Sequence, residues 1–405
     1  MSTETIEAPK KNAAWKSYAI GFLFWLPLLS GVVSRFKKSS QWFGDYGAVA
    51  CAAEKWLQGG QIYNRELDCP NVHEVVYVYH PAIAQVFSYP LSVLGQQGMF
   101  WAYAALFALS VTALIWLMIG RGAKKTRKRS SRFAAFMTGS AIYWGNIAVI
   151  FHALIGVVAV GLRKRPSLLV LAIALAALVK PLFLTFAAVF VLAPWPFWRR
   201  ALYTLAVVVL GAAPSLYFLQ YGGELATQWR DLISYFVYVD RPGAAFFGWL
   251  DLIGQPIDTP AAAIAYLGFA AIMCVAGLII VEGLNLDGEA RTLLGLSLGI
   301  ILIPRLMSQD FWLLGPGLAT LAVALLDRHA RAGKAFSLAL LSICVFALLA
   351  NMADFADLGV PLAVFALALT FIAAAGFVLT QSSLGAILGS FWRGAPTEAS
   401  PHASA

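Results

Sequence analysis

The sequence predicts an all-α polytopic membrane protein of about twelve transmembrane helices, and three observations carry that prediction. Of 405 residues, 60% are hydrophobic and 12% are charged, a balance more apolar than the core of a soluble domain of this size requires. The apolar runs come at helical length and lack the short alternation of a membrane barrel, so helices that satisfy their own backbone groups are expected to do the crossing. The net charge of +9 is gathered in short segments between those runs: Arg121–Arg129, Arg163–Arg165, Arg199-Arg200 and Arg328–Lys334. That spacing is the positive-inside pattern of a multi-pass chain, and no nucleic-acid partner is expected.

The organisation follows from keeping every basic cluster inside. Residues 1–16 form a polar, basic cytoplasmic tail, residues 17–380 one transmembrane domain, and residues 381–405 a cytoplasmic tail expected to be disordered. Ser17–Ser34 has no small-residue cleavage site after it and is read as a retained first span. The first outer loop, 35–97, then holds two surface helices. In one, Val49, Ala52, Ala53, Trp56 and Leu57 share a face, and Gly59-Gly60 ends it. In the other, Pro81–Leu94, the apolar residues repeat at helical spacing over about 14 residues, short of the roughly 20 that a span needs. It is expected to lie along the membrane surface, with Pro90 kinking or ending it, while Gly98–Gly120 makes the return crossing. Cys51 and Cys69 share this loop and either pair, if it faces an oxidising compartment, or pack as free thiols.

Two pairs of short helices follow. Only about 28 residues lie between Phe133 and Gly161, which suits a hairpin broken at Gly145-Asn146, and Ser167–Trp198 repeats the pattern around Lys180-Pro181. Irregular backbone cannot face lipid, so both tips are expected at the outer side, in protein or water. Ala201–Gln220 exits into a second long outer loop, 221–260, and further spans follow at Ala261–Val281, Thr292–Pro304, Phe311–Leu326, Ala335–Asn351 and Val360–Thr380.

This topology places Asp45, His80, Lys180, Arg305 and Asp310 at outer helix ends, where ionisable groups beside membrane spans are costly unless they work. Each also has a plainer reading. Asp45 stands either as a helix cap or as a base, Lys180 either snorkels or binds a phosphate, and Arg305 either pairs with Asp310 or grips a phosphate. Trp144-Gly-Asn146 reads equally as a turn with an Asn cap, and Tyr77-Val-Tyr79-His80-Pro81 as an interfacial anchor. No zinc, calcium, P-loop or nucleotide-fold spacing appears, so no metal site or cofactor is expected.

Taken in order, Gly44-Asp45-Tyr46, Trp56-Leu-Gln-Gly59-Gly60-Gln-Ile-Tyr63, Tyr77-Val-Tyr-His-Pro81, Pro90-Leu91, Gly145-Asn146, Lys180-Pro181 and Pro304-Arg305 with Asp310 downstream resemble glycosyltransferase family 87. Its members are polyprenyl-phosphate-mannose-dependent mannosyltransferases of the membrane-embedded C-type superfamily. The resemblance implies a C-type glycosyltransferase fold and an inverting hexosyltransferase with its active site on the periplasmic or extracellular side of the plasma (inner) membrane. It implies Asp45 as the catalytic base and Arg305 and Lys180 as the groups that bind the donor phosphate. Tyr46, Tyr79, His80, Asn146 and Asp310 are the implied further substrate contacts. The implied partners are a polyprenyl-phosphate-linked sugar as donor, a glycolipid or glycan as acceptor, and the membrane lipid itself. Two alternatives stay open: a C-type transferase using another polyprenyl-phosphate sugar, and a lipid-linked-sugar flippase or transporter.

Overall fold

The computed structural model describes residues 21–37, 42–65, 67–69, 72–240, 242–353 and 355–394. Residues 1–16, residues 17–20 of the expected first span, and 395–405 lie outside the described residues. Among the described residues, six helices are long and apolar enough to cross a membrane, and three shorter apolar helices accompany them. The chain is thus a multi-pass membrane protein. Leu109, Leu205, Ile272 and Leu369 stand exposed midway along four of the long helices, as side chains facing lipid do.

The count of about twelve spans is not reached by helix length, and the breaks in the chain explain why. Ile147–Gly161, Pro166–Val179 and Pro181–Val191 are the shorter apolar helices. They are interrupted at Gly145-Asn146 and at Lys180, where the backbone leaves the helical region. The helix Gly288–Ile301 has 14 residues, most of them buried by protein, so it needs no lipid-length run. Pro81–Ile115 is drawn as one helix but breaks at Gly95, with φ 67° and ψ 174°. The break therefore separates a 14-residue amphipathic piece from a long apolar one, as the sequence suggested, but Pro90 does not end the first piece. Gly95 takes a conformation that costs an L side chain dearly, and that makes it the better hinge.

Two further features differ from the sequence reading. The second outer loop is largely helical, with Gly223–Tyr235 and Phe246–Leu252. Leu67–Cys69 and Val72–Val75 pair as a small antiparallel hairpin, which an all-helical reading of the first outer loop did not foresee. Cys51, in the helix Gly44–Leu57, is joined to Cys69 by a disulfide that ties this hairpin down.

The basic clusters of separate hairpins meet at one end of the bundle. Arg121 lies 2.8 Å from Glu289 and Arg163 lies 3.4 Å from it. Beside them, Glu282 is fully buried between Arg200 and Arg291, and Ser390 donates to it from the helix Leu384–Arg393. That helix, inside the segment expected to be a disordered tail, is thereby fastened to the core. Asn146 opens the 15-residue helix whose far end, Gly161, adjoins Arg163, so the Asn146 end and the basic end lie roughly 22 Å apart.

Candidate active site

Two chain breaks lock together to build the site. Phe43, just before the helix Gly44–Leu57, has φ 60° and ψ 43°, a left-handed conformation unusual for a bulky residue. It is held there because Phe43 N donates to Tyr143 O at 2.8 Å and Asp45 N donates to Trp144 O at 3.0 Å. The neighbouring glycines are required by this contact. A Cβ on Gly44 would run into the Trp144 ring, and one on Gly145, itself at φ 61°, into the Phe43 ring. Tyr103 Oη donates to Gly145 O at 2.6 Å and seals the junction from below. Arg35 lies over the rings of Tyr143 and Trp144 at 4.8 and 5.5 Å.

The consequence is a relay of polar side chains. Asn146 Nδ2 donates to Asp45 Oδ2 at 2.6 Å. Asn146 Oδ1 accepts from Ala148 N at 2.9 Å, capping its helix, and from Lys180 Nζ at 3.1 Å. These partners fix the amide orientation, because the capping atom must be the oxygen and the atom facing a carboxylate must be the nitrogen. Asp45 lies inside the first turn of its helix, one residue beyond Gly44, and the N-cap position is Phe43. The Asp45 carboxylate is held by the Asn146 amide.

Lys180 also borders a cavity of ≈ 30 Å³ shared with Arg305, Gln309, Asp310 and His152. Asp310 is buried, and its Oδ2 accepts from Met307 N at 2.9 Å, which closes the short turn Ser308–Leu313. That turn is fastened to the segment leading to Asn146, since Ser308 Oγ accepts from Thr138 N at 2.8 Å. The second outer loop grips the same stretch through Ala244 N to Leu306 O at 2.8 Å and Phe247 N to Pro304 O at 3.0 Å. The structure thus brings Asp45, Asn146, Lys180, Arg305 and Asp310 into one connected region. Tyr79 joins them, with Lys180 Nζ 5.5 Å from its ring centre.

Tyr46 and His80 face aromatic neighbours. Tyr46 packs against Phe100 and Tyr103 with ring centres 5.6 and 4.8 Å away. His80 caps the helix that begins at Pro81, its Nδ1 accepting from Ala82 N at 3.2 Å, and its ring meets Phe218 and Trp229 edge-on. Burial there holds its imidazole below the usual value. Around it, Tyr77 Oη donates to His80 O and Tyr63 Oη to Tyr79 O, both at 2.8 Å. Burial pushes both phenols far above the ordinary tyrosine range. His152, in contrast, was not singled out in the sequence, where a lone imidazole in an apolar helix gives no spacing signal. Among the described residues no group of three or more His, Cys, Asp or Glu side chains gathers as a metal site.

No protein-family model matches the chain, and no curated protein matches it. Among solved structures, the chain is similar to the crystal structure of ArnT from Cupriavidus metallidurans bound to undecaprenyl phosphate. Identity is 14%, with 94% of this chain and 78% of that chain covered and a TM-score of 0.38. A likeness this distant carries no conclusion about residues or chemistry.

Proposed function

We propose that this protein is an inverting glycosyltransferase that moves a sugar, mannose in the first instance, from a polyprenyl-phosphate carrier to a glycolipid or glycan acceptor. The observation that carries the reading is the connected path from a carboxylate, Asp45, through Asn146 to Lys180 and on to a cavity bordered by Arg305. A base and a cationic phosphate seat are the two things that displacement at an anomeric carbon requires.

In the proposed step, an acceptor hydroxyl oxygen attacks the anomeric carbon as its proton passes to the Asp45 carboxylate. The bond from that carbon to the phosphate oxygen breaks, and its electron pair leaves with polyprenyl phosphate. Lys180 and Arg305 neutralise the charge that gathers on the departing phosphate, the guanidinium through paired hydrogen bonds and the ammonium as a point charge. Asn146 holds the base in one orientation, and Asp310 shapes the turn that carries Arg305. A single displacement with no covalent sugar–enzyme intermediate inverts the anomeric configuration. Asp45 also shares its helix with Cys51, whose disulfide to Cys69 suits an oxidising compartment and so supports an outward-facing site.

The test is transfer by the purified protein from synthetic short-chain polyprenyl-phosphate mannose to a panel of mannosides and glycolipids, with pentosyl, glucosyl and aminosugar donors alongside. Transfer from the mannosyl donor with inverted linkage is the expected result. Transfer from a different donor only would correct the sugar. No transfer from any polyprenyl-phosphate sugar, with lipid-linked sugar instead moved across vesicle membranes, would overturn the reading in favour of a flippase.

A further inference from the structure

His152 lies in the helix Ile147–Gly161, with Asn146 capping that helix, and is fully buried. Its ring packs against Phe183 and Phe186 with centres 4.9 and 5.7 Å away, surroundings that a phenylalanine or leucine would fill as well. Its Nδ1 lies 2.8 Å from Ala148 O. A carbonyl oxygen only accepts, so Nδ1 carries the proton, and in the neutral ring Nε2 is an acceptor. Among the described residues that Nε2 is buried without a hydrogen-bond partner. Leaving a buried polar atom unmet is costly, and an apolar residue would avoid the cost, so the imidazole has a use that folding does not supply.

His152 is also one of the residues that line the cavity bordered by Lys180, Arg305 and Asp310. With Nδ1 committed to its own helix, Nε2 is the ring atom left for whatever enters there. An acceptor flanked by two cations is poorly suited to a phosphate, which brings only acceptors of its own. It is suited to a hydroxyl group, which brings a donor. The geometry points to His152 as a specificity-determining residue that accepts a hydrogen bond from a hydroxyl of the donor sugar, next to the seat of that donor's phosphate. This inference rests on the proposed transfer reaction, because it takes Lys180 and Arg305 as the phosphate seat.

The experiment compares binding of short-chain polyprenyl-phosphate mannose with binding of the sugar-free polyprenyl phosphate, by calorimetry on wild type, His152→Phe and His152→Gln in detergent. His152→Phe is expected to bind the sugar-bearing lipid roughly tenfold more weakly, to bind the sugar-free lipid as wild type does, and to melt no lower than wild type. His152→Gln, which keeps an acceptor, is expected to recover part of the loss. Should His152→Phe not fold, His152→Leu carries the same reading. A matching donor series lacking one hydroxyl at a time should show wild type penalising one analogue strongly and His152→Phe losing that preference. Equal weakening for both lipids would mean a phosphate contact or a structural role, and no weakening for either would mean no contact; each overturns the inference while leaving the transfer reaction standing. Failure of wild type to bind either lipid would overturn both.

Discussion

At the basic end of the molecule, both oxygens of Glu282 are fully engaged. Oε1 receives Arg200 at 2.6 Å and Arg291 at 2.8 Å, while Oε2 receives Arg291 at 3.0 Å and Ser390 at 2.6 Å. The remaining guanidinium donors reach the carbonyls of Trp195, Val191, Leu286 and Val281. At the other end, Asp45, Asn146, Lys180, Arg305 and Asp310 are as densely charged, but Lys180, Arg305 and Asp310 border a cavity, and a buried imidazole nitrogen beside it has no partner among the described residues. The first cluster spends its polarity on itself and acts as a clasp for the C-terminal helix. The second keeps polarity directed at a space, which is what a group awaiting a substrate does. Burial of charge therefore does not mark function by itself.

The comparison can be broken most forcefully at the clasp. Glu282→Gln leaves two buried guanidiniums facing an uncharged amide and should cost roughly 3–5 kcal/mol, seen as a large drop in thermal midpoint in detergent, with transfer per folded molecule unchanged. A variant of wild-type stability that lost transfer would assign function to the wrong end. Replacing Cys51 and Cys69 together with serine should cost about 3 kcal/mol, because the bridge spans only 18 residues. Hydrogen exchange should place the loosening in the hairpin and the Gly44–Leu57 helix, and a uniform loss of protection would contradict a local role.

Asn146→Ala sharpens the account of the cluster around Asp45. Loss of the cap should cost about 1 kcal/mol, but loss of the link between Asp45 and Lys180 should lower transfer on the order of a hundredfold. Equal and small effects on both would reduce Asn146 to a cap. The smallest expected effect is on pH. Tyr63 and Tyr77 have phenols raised by burial, so their contribution to stability is complete below the unfolded value near 10 and is lost as pH rises above it. The thermal midpoint should fall more between pH 9 and about 11 in wild type than in Tyr63→Phe.

Much of the cluster around Asp45 was legible in the sequence because its members stand at helix breaks, and breaks are signalled locally by Gly145-Asn146, Lys180-Pro181 and Pro304-Arg305. What local signals could not show is which break meets which. The lock between Phe43 and Trp144 that sets Asp45 against Asn146 joins positions about a hundred residues apart. The clasp was invisible for the same reason, its Arg200 and Glu282 being 82 residues apart. Tyr46 and His80 were singled out as members of the quoted motifs, His80 also as an ionisable group at a helix end, and their side chains turn into aromatic packing. His152 escaped notice because a lone polar residue in an apolar helix becomes meaningful only when its second nitrogen is seen to lack a partner.

The measurement that bears most directly on the central claim is sugar transfer by Asp45→Asn, with its thermal midpoint recorded on the same preparation. Asparagine keeps the shape and removes the proton acceptor, so the account predicts a midpoint close to wild type and transfer from polyprenyl-phosphate mannose reduced on the order of a thousandfold or more. A folded Asp45→Asn protein that transfers at the wild-type rate would contradict it.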